Sequence, residues 1–340
     1  MRPFAYIKAR DTAEAVRAGK TAGQGQVDAP VQYLAGGTTL IDLMKLDVLT
    51  PATVIDIMPL TARYGKIEAT ASGLKLGAMV KMEAAAMHPM VARDYPVIAQ
   101  SLHLAASTQL RNMATLGGNV LQRTRCAYYR DTTWSACNKR VPGSGCAALE
   151  GSNRNFAILG VDDSCISQYP GDFAVALLAL DATVSLTGPQ GNRSIKFEAL
   201  HRPPGRAPHV ETTLRPGELI TGFEMPAGPW TRRSLYLKIR DRESYEFAVA
   251  SAAVALDMTG QTIRHARIAL GGMAYRPWRA QEAEALLAGK PLTEANAETA
   301  AKAALAGAVT HGENDFKPEL ARRTLVRALM QAASMETRNG

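Results

Sequence analysis

Apolar and polar positions change their period several times along the chain, and each change marks an element. Asp11 to Gly19 carries a helical spacing with Thr12 near its start, and Val31-Gln32-Tyr33-Leu34-Ala35 reads as a strand. Gly36-Gly37-Thr38-Thr39 interrupts that apolar run. An amphipathic helix is predicted over Leu40 to Leu46, and Pro51 to Ile57 is predicted as the next strand. The arms Lys66-Ile67-Glu68-Ala69-Thr70 and Leu74-Lys75-Leu76-Gly77-Ala78 predict a hairpin turning at Ser72-Gly73. Helices are predicted around Lys81 to Met87 and Val97 to Leu104, and a second Gly-rich segment follows from Arg111 to Asn119. The apolar run Phe173 to Leu180 predicts a helix, and Ala182 to Leu186 a strand.

A shift in composition begins near Pro203. His201 to Gly205 is loop-like and Pro216-Gly217 marks a turn. Three strands are then predicted: Ser234 to Ile239, Ala248 to Met258 and Ile263 to Met273, with Gly260-Gln261 turning the second into the third. The Ala- and Leu-rich tail from Ala280 reads as three helical segments, separated near Pro291 and by His311 to Pro318. This order predicts an α+β protein. Its last part would hold three strands followed by helices.

Composition narrows the class of function. With 46% hydrophobic and 21% charged residues among 340, a disordered chain is excluded, and the Gly and Pro residues follow no collagen-like period. The apolar stretches Phe173 to Leu180 and Phe247 to Leu256 are well short of the roughly 20 residues that span a bilayer, so no membrane insertion is expected. Met1-Arg2-Pro3-Phe4 carries no apolar signal segment. The net charge of +8 is spread along the chain, with a concentration between Arg111 and Arg154. Without a polybasic run or an RNA-binding aromatic motif, it points to an anionic cofactor or a partner subunit rather than to nucleic acid.

All four cysteines fall in one segment, as Cys126, Cys137, Cys146 and Cys165. Two disulfides, structural zinc, buried free thiols and an iron–sulfur cluster are the alternatives. A chain of this size needs no stapling, and zinc sites usually pair cysteines two to four residues apart, a pairing absent here. Four-thiolate ligation of iron–sulfur tolerates varied spacing. The segment is rich in Arg, Gly and Asn and reads as irregular backbone. Arg123, Arg125, Arg130, Lys139 and Arg140 are available to offset thiolate charge.

The two Gly-rich segments have related chemistry. Gly36 and Gly37 stand between a strand and a helix, where free amides and the Thr38 and Thr39 hydroxyls can cradle a pyrophosphate. Ala114-Thr115-Leu116-Gly117-Gly118-Asn119 offers a hydroxyl, two exposed amides and a side-chain amide. Each alone is also compatible with an ordinary tight turn. Together they can hold two ends of one extended anionic ligand.

Leu34 to Leu40, Arg111 to Asn119, Gly171-Asp172-Phe173-Ala174 and Lys238 within Tyr236-Leu237-Lys238-Ile239-Arg240, in that order, resemble a known family over nearly the whole chain. It is the flavin-binding medium subunit of the molybdenum hydroxylases, the xanthine dehydrogenase and carbon monoxide dehydrogenase family. The insertion at about 122–168 is similar to that of the periplasmic-type aldehyde oxidoreductase flavin subunit. The β subunit of 4-hydroxybenzoyl-CoA reductase is a competing match.

The resemblance implies an α+β fold with a two-part FAD-binding domain of the PCMH/vanillyl-alcohol-oxidase type over 1–225 and, over 226–340, a C-terminal domain of the carbon monoxide dehydrogenase flavoprotein type with a three-stranded antiparallel sheet and helices. It implies FAD with Leu34, Ala35, Gly36, Gly37, Thr38, Thr39, Leu40 and Ile41 around the pyrophosphate. Ser107, Thr115, Gly118 and Asn119 would form the second wall. Asp172 would lie at the ribose or adenine end, Leu219 and Ile220 near the flavin, and Lys238 at the isoalloxazine. On the residues alone, Asp172 also reads as a helix N-cap and Lys238 as a solvated lysine on an edge strand.

The resemblance also implies a [4Fe–4S] cluster on Cys126, Cys137, Cys146 and Cys165, with Trp134, Tyr128 and Tyr129 as shields or packing. The implied partners are a large molybdenum-cofactor subunit, a small [2Fe–2S] subunit and an external electron acceptor. The implied activity is aldehyde oxidation by the complex, with a self-sufficient flavin oxidoreductase as the alternative. The location is either the cytoplasm or, by export with a signal-bearing partner, the periplasm.

Overall fold

The computed structural model describes residues 1–20 and 29–336. A small parallel sheet comes first, from β1 (Ala5–Lys8), β2 (Val31–Leu34) and β3 (Thr53–Asp56), in the order β1-β3-β2. The helix Thr12–Gly19 is capped by Asp11, whose carboxylate accepts the Glu14 amide at 2.8 Å. Such a cap satisfies an amide that the first turn leaves unpaired. The helix Leu40–Lys45 connects β2 to β3 and buries Leu43 and Met44. β1 escapes the sequence reading because its four residues are all exposed and show no one-sided pattern.

A five-stranded antiparallel sheet follows. It is built from β4 (Ile67–Thr70), β5 (Gly73–Gly77), β6 (Thr183–Gly188), β7 (Gly191–Lys196) and β8 (Leu219–Pro226), in the order β4-β5-β8-β6-β7. β8 brings Leu219 and Ile220 to the middle of this sheet, far in sequence from the hairpin it pairs with. The helices Pro96–His103 and Asp172–Ala179 cover it, and Leu74, Leu76, Phe173, Phe197 and Phe223 form the core between them.

The third sheet is antiparallel: β9 (Ser234–Ile239), β10 (Ala250–Thr259), β11 (Thr262–Gly271) and β12 (Trp278–Arg279), in the order β12-β11-β10-β9. The three expected strands are present, but the sheet has four. β12 is too short to show a period, since only Arg279 and Trp278 pair, with Ala269 and Leu270. The first eight residues of β10 are all buried, because Ala253 and Ala255 face the first core while Val254 and Leu256 face a second. That second core is closed by the helices Gln281–Leu287, Glu294–Ala304 and Lys317–Ala333.

Between the helices Leu116–Val120 and Asp172–Ala179 runs the cysteine segment. Its one regular helix among the described residues is Ala127–Arg130. Lys317 is fully buried, and its Nζ donates to Phe156 O (2.8 Å), Gln168 Oε1 (3.0 Å) and Gly272 O (2.6 Å). One ammonium thus ties this segment to the third sheet and the last helix.

Candidate functional site

The turn after β2 is shaped by its glycines. A Cβ on Gly36 would sit 2.1 Å from the Met113 carbonyl oxygen, and Gly37 has a φ of 75°. The Gly37 and Thr39 carbonyls accept the Ile41 and Leu43 amides and start the following helix. Among the described residues, the amides of Gly36, Gly37, Thr38 and Thr39 find no acceptor. Four consecutive donors therefore stand at the wall of a large cleft open to solvent.

Ala35 to Leu40 form one wall of that cleft, Thr115, Gly117 and Gly118 another, and Leu219 and Ile220 a third. The second Gly-rich segment differs from expectation. It is not a loop with two exposed amides but the start of the helix Leu116–Val120. The Gly117 amide donates to Ala78 O at 2.8 Å and the Gly118 amide to Thr115 Oγ1 at 3.3 Å. What this wall presents to the cleft is small surface rather than free donors.

Other expected residues lie outside the cleft lining: Leu34, Ile41, Ser107, Asn119, Asp172 and Lys238. Ile41 packs its Cδ1 against Gly37. Ser107 caps the helix Thr108–Met113. Asn119 Nδ2 approaches Met82 Sδ at 3.3 Å, and its buried Oδ1 has no partner among the described residues. Asp172 and Lys238 pair with each other at 2.8 Å, both side chains almost fully buried. Tyr236 donates its hydroxyl to Asp172 Oδ1 at 2.6 Å, and Lys238 also donates to Leu104 O at 3.1 Å. Asp172 is therefore not the cap of its helix, which begins after Gly171. Nor is Lys238 solvated, although β9 is an edge strand.

The cleft also holds Arg123, His201, Glu211 and Tyr275, which no sequence pattern joins. Burial pushes the His201 imidazole down to about 4, and its Nε2 lies 2.9 Å from Val120 O. At neutral pH the ring is uncharged and can donate its Nε2 proton to that carbonyl. Glu211 accepts Arg123 at 2.5 Å on one oxygen and Lys139 at 2.6 Å on the other. Burial opposes its charge, but Lys139 and Arg123 hold its carboxyl below the usual range.

A second, small cavity is lined by Cys126, Cys137, Cys146 and Cys165 together with Tyr128, Tyr129, Phe156 and Lys139. All four thiols are free. Cys137 and Cys146 face each other across an antiparallel bridge, fixed by Asn138 N to Gly145 O (2.7 Å) and Ala147 N to Ala136 O (3.0 Å). Burial pushes the Cys126 thiol up to about 12. A hydrogen bond from Cys146, and then the Lys139 charge, lower Cys165, while the same bond raises Cys146. Among the described residues no group of three or more His, Cys, Asp or Glu side chains is placed to hold a metal ion. The expected metal centre is thus not evident as a ligand set. The thiols ring a shared space instead.

Two further expectations about this segment change. Trp134 does not shield the cavity; it is half exposed and stacks edge-on against Tyr128 at 5.0 Å. Most of the basic residues also have other partners. Arg125 and Arg130 pair with Asp42, Arg123 with Glu211, and Arg140 with the carbonyls of Tyr128, Tyr129, Asp131 and Trp134. Of the five, only Lys139 lines the cavity.

Comparison with known proteins places both halves of the chain. Residues 2–228 match the FAD binding domain in molybdopterin dehydrogenase, and residues 235–332 match the CO dehydrogenase flavoprotein C-terminal domain. The aldehyde oxidoreductase FAD-binding subunit PaoB of Escherichia coli (strain K12) is 44% identical over 98% of this chain and 99% of its own. The carbon monoxide dehydrogenase medium chain of Hydrogenophaga pseudoflava is 26% identical over 97% of this chain and 96% of its own. A solved structure of carbon monoxide dehydrogenase from H. pseudoflava, lacking the Mo-pyranopterin moiety, superposes with a TM-score of 0.73 at 26% identity, covering 97% of both chains.

Proposed function

The chain belongs to the FAD-binding medium subunits of the molybdenum hydroxylase family, oxidoreductase subunits of the aldehyde oxidoreductase and xanthine dehydrogenase type, and from that premise we propose that it is the flavin and iron–sulfur electron-transfer subunit of an aldehyde-oxidising complex. The single observation that carries the proposal is the pair of cavities. One is walled by a turn with four unpaired amides, and the other is ringed by every cysteine the chain has.

The residues of the first cavity fit FAD. The amides of Gly36 to Thr39 and the two Thr hydroxyls would hold the pyrophosphate. Thr115 and Gly118 would close the second wall, and Leu219 and Ile220 would give apolar contact to the ring system. Leu34 and Ile41 back the turn. Ser107, Asn119, Asp172 and Lys238 would act from behind the lining, with the buried Asp172–Lys238 pair holding the helix Asp172–Ala179 against β9.

The second cavity fits a polynuclear group better than a single ion, because four thiols surround a common space. Burial resists thiolate formation at Cys126, so the charge of a bound cationic group would be needed to hold all four as thiolates. When bound, FAD and a [4Fe–4S] cluster supply reversible electron storage; the chain's residues position them and exclude water.

With all four cysteines in one cavity, none remains for a [2Fe–2S] centre. The substrate chemistry and that centre would belong to a large molybdenum subunit and a small iron–sulfur subunit, with an external acceptor taking the electrons. The domain boundary near residue 225 is part of the same reading.

The test is cofactor content. The chain is purified anaerobically, flavin is released with acid and identified by chromatography, and metals are measured. FAD with about four irons per chain is expected for four-thiolate ligation. Stoichiometric zinc, or FMN, overturns the reading.

A further inference from the structure

The two cavities are not independent. Lys139 lies two residues after Cys137, lines the cysteine cavity and keeps its side chain only 2% exposed. Its Nζ reaches Glu211 Oε1 at 2.6 Å, the Tyr275 hydroxyl at 2.5 Å and Pro208 O at 3.3 Å, and it sits 4.2 Å from the Tyr275 ring centre. Tyr275 in turn donates to Pro208 O at 2.8 Å. The other Glu211 oxygen is held by Arg123 at 2.5 Å, and Glu211, Arg123 and Tyr275 all line the flavin cleft. A continuous buried chain, Lys139–Glu211–Arg123, therefore runs from one cavity wall to the other.

We propose that Lys139 is a positioning residue that sets the electrostatic potential of the cysteine site, with Glu211 as the carboxylate it shares with the flavin cleft. The inference rests on the reading of the cysteine cavity as an iron–sulfur site. One guanidinium and one ammonium against one carboxylate leave a net positive charge between the cavities. Away from water, such a charge acts strongly on its neighbours. Reduction of a cluster on the four cysteines adds one electron and neither forms nor breaks a bond. Lys139 favours the added electron, and Glu211 opposes it at both sites. Because Glu211 lines the flavin cleft and holds the ammonium that lines the cysteine cavity, the influence is reciprocal: charge gained at one site is felt at the other.

The sequence shows Lys139 only as one basic residue among five near the cysteines. The fold singles it out, because the other four have their side chains directed elsewhere.

The opposite signs of Lys139 and Glu211 supply the test. The full chain, purified anaerobically, is titrated with dithionite. The cluster is followed by electron paramagnetic resonance, the flavin by visible absorbance, and the iron content is measured throughout. Lys139→Met is expected to move the cluster midpoint to a more negative potential, and Glu211→Gln to move it to a more positive one, with the flavin moving in the same direction. Lys139→Arg keeps the charge and is expected to stay near the parent value. A variant that had merely loosened the structure would not reverse sign with the charge removed.

If Lys139→Met does not fold, Glu211→Gln decides the matter by its direction. Iron-loaded variants whose midpoints do not move, or move the same way, overturn the inference alone. A parent chain that carries no iron overturns it together with the reading on which it rests.

Discussion

Asp172 and Lys238 show how a single pair can be misread from sequence and still matter. Each is plausible alone at a helix start or on an edge strand, and only the fold brings them to 2.8 Å in a buried place. Removing one partner leaves an uncompensated buried charge, so Lys238→Met is expected to cost about 3–5 kcal/mol, measured by urea unfolding. Adding Asp172→Asn to that variant is expected to restore part of the loss.

Gly36 is the opposite case, legible from the start. A methyl group added there would meet the Met113 carbonyl oxygen at 2.1 Å, and backbone cannot swing aside as a flexible side chain can. Gly36→Ala is therefore expected to shift the turn and lower the flavin content of the purified chain by more than half, while Gly307→Ala, where the backbone is not left-handed and an added Cβ would meet nothing within 4 Å, leaves it unchanged.

His201 gives the pH dependence of the cleft. Its folded value of about 4 lies below the ordinary 6.5, so the unfolded chain binds the proton more readily. Stability is thus full above pH 6.5 and falls as the pH drops from 6.5 towards 4, by about 3 kcal/mol for this group. Urea midpoints at pH 7 and pH 4.5 are expected to show that fall, and His201→Gln to flatten it. His201, Glu211, Arg123 and Tyr275 were not legible as a set, because they come from separate segments and no spacing relates them.

At the scale of elements, legibility followed the length and one-sidedness of the apolar pattern. The hairpin β4–β5, the long strands β10 and β11 and the three C-terminal helices all carry a clear pattern and stand where it predicts them. β7 reads GNRSIK with mostly polar residues, and β12 has two residues, so neither offers a period to find. β8 has apolar positions but lies after a long loop, and nothing local announces that it joins strands more than 100 residues earlier.

The cysteine segment is irregular as expected, and its attachment is what the sequence concealed. Lys317 alone serves three carbonyl-type acceptors from Phe156, Gln168 and Gly272. Lys317→Met strands those buried acceptors and is expected to cost at least about 2 kcal/mol. Limited proteolysis is expected to show faster cleavage within 126–168 in that variant than in the parent.

The whole molecule reads as one component of a larger machine. The two largest cores, one under the five-stranded sheet and one under the C-terminal helices, share β10, and the buried bonds of Lys317 and of Lys139, Glu211 and Arg123 tie the cysteine segment to that framework and to the cleft. No helix among the described residues is long and apolar enough to cross a membrane. On the proposed reading, FAD in the cleft and an iron–sulfur group on the thiols would give the passage of electrons to this chain and leave substrate oxidation to another.

Anaerobic mixing with aldehyde in a stopped-flow instrument tests that division most directly, following flavin absorbance in the FAD-loaded chain alone and again after assembly with its molybdenum and small iron–sulfur partners. No bleaching of the flavin is expected in the isolated chain, and rapid bleaching in the complex. Bleaching of the isolated chain at the rate of the complex would contradict the division and mark the chain as a flavoenzyme in its own right.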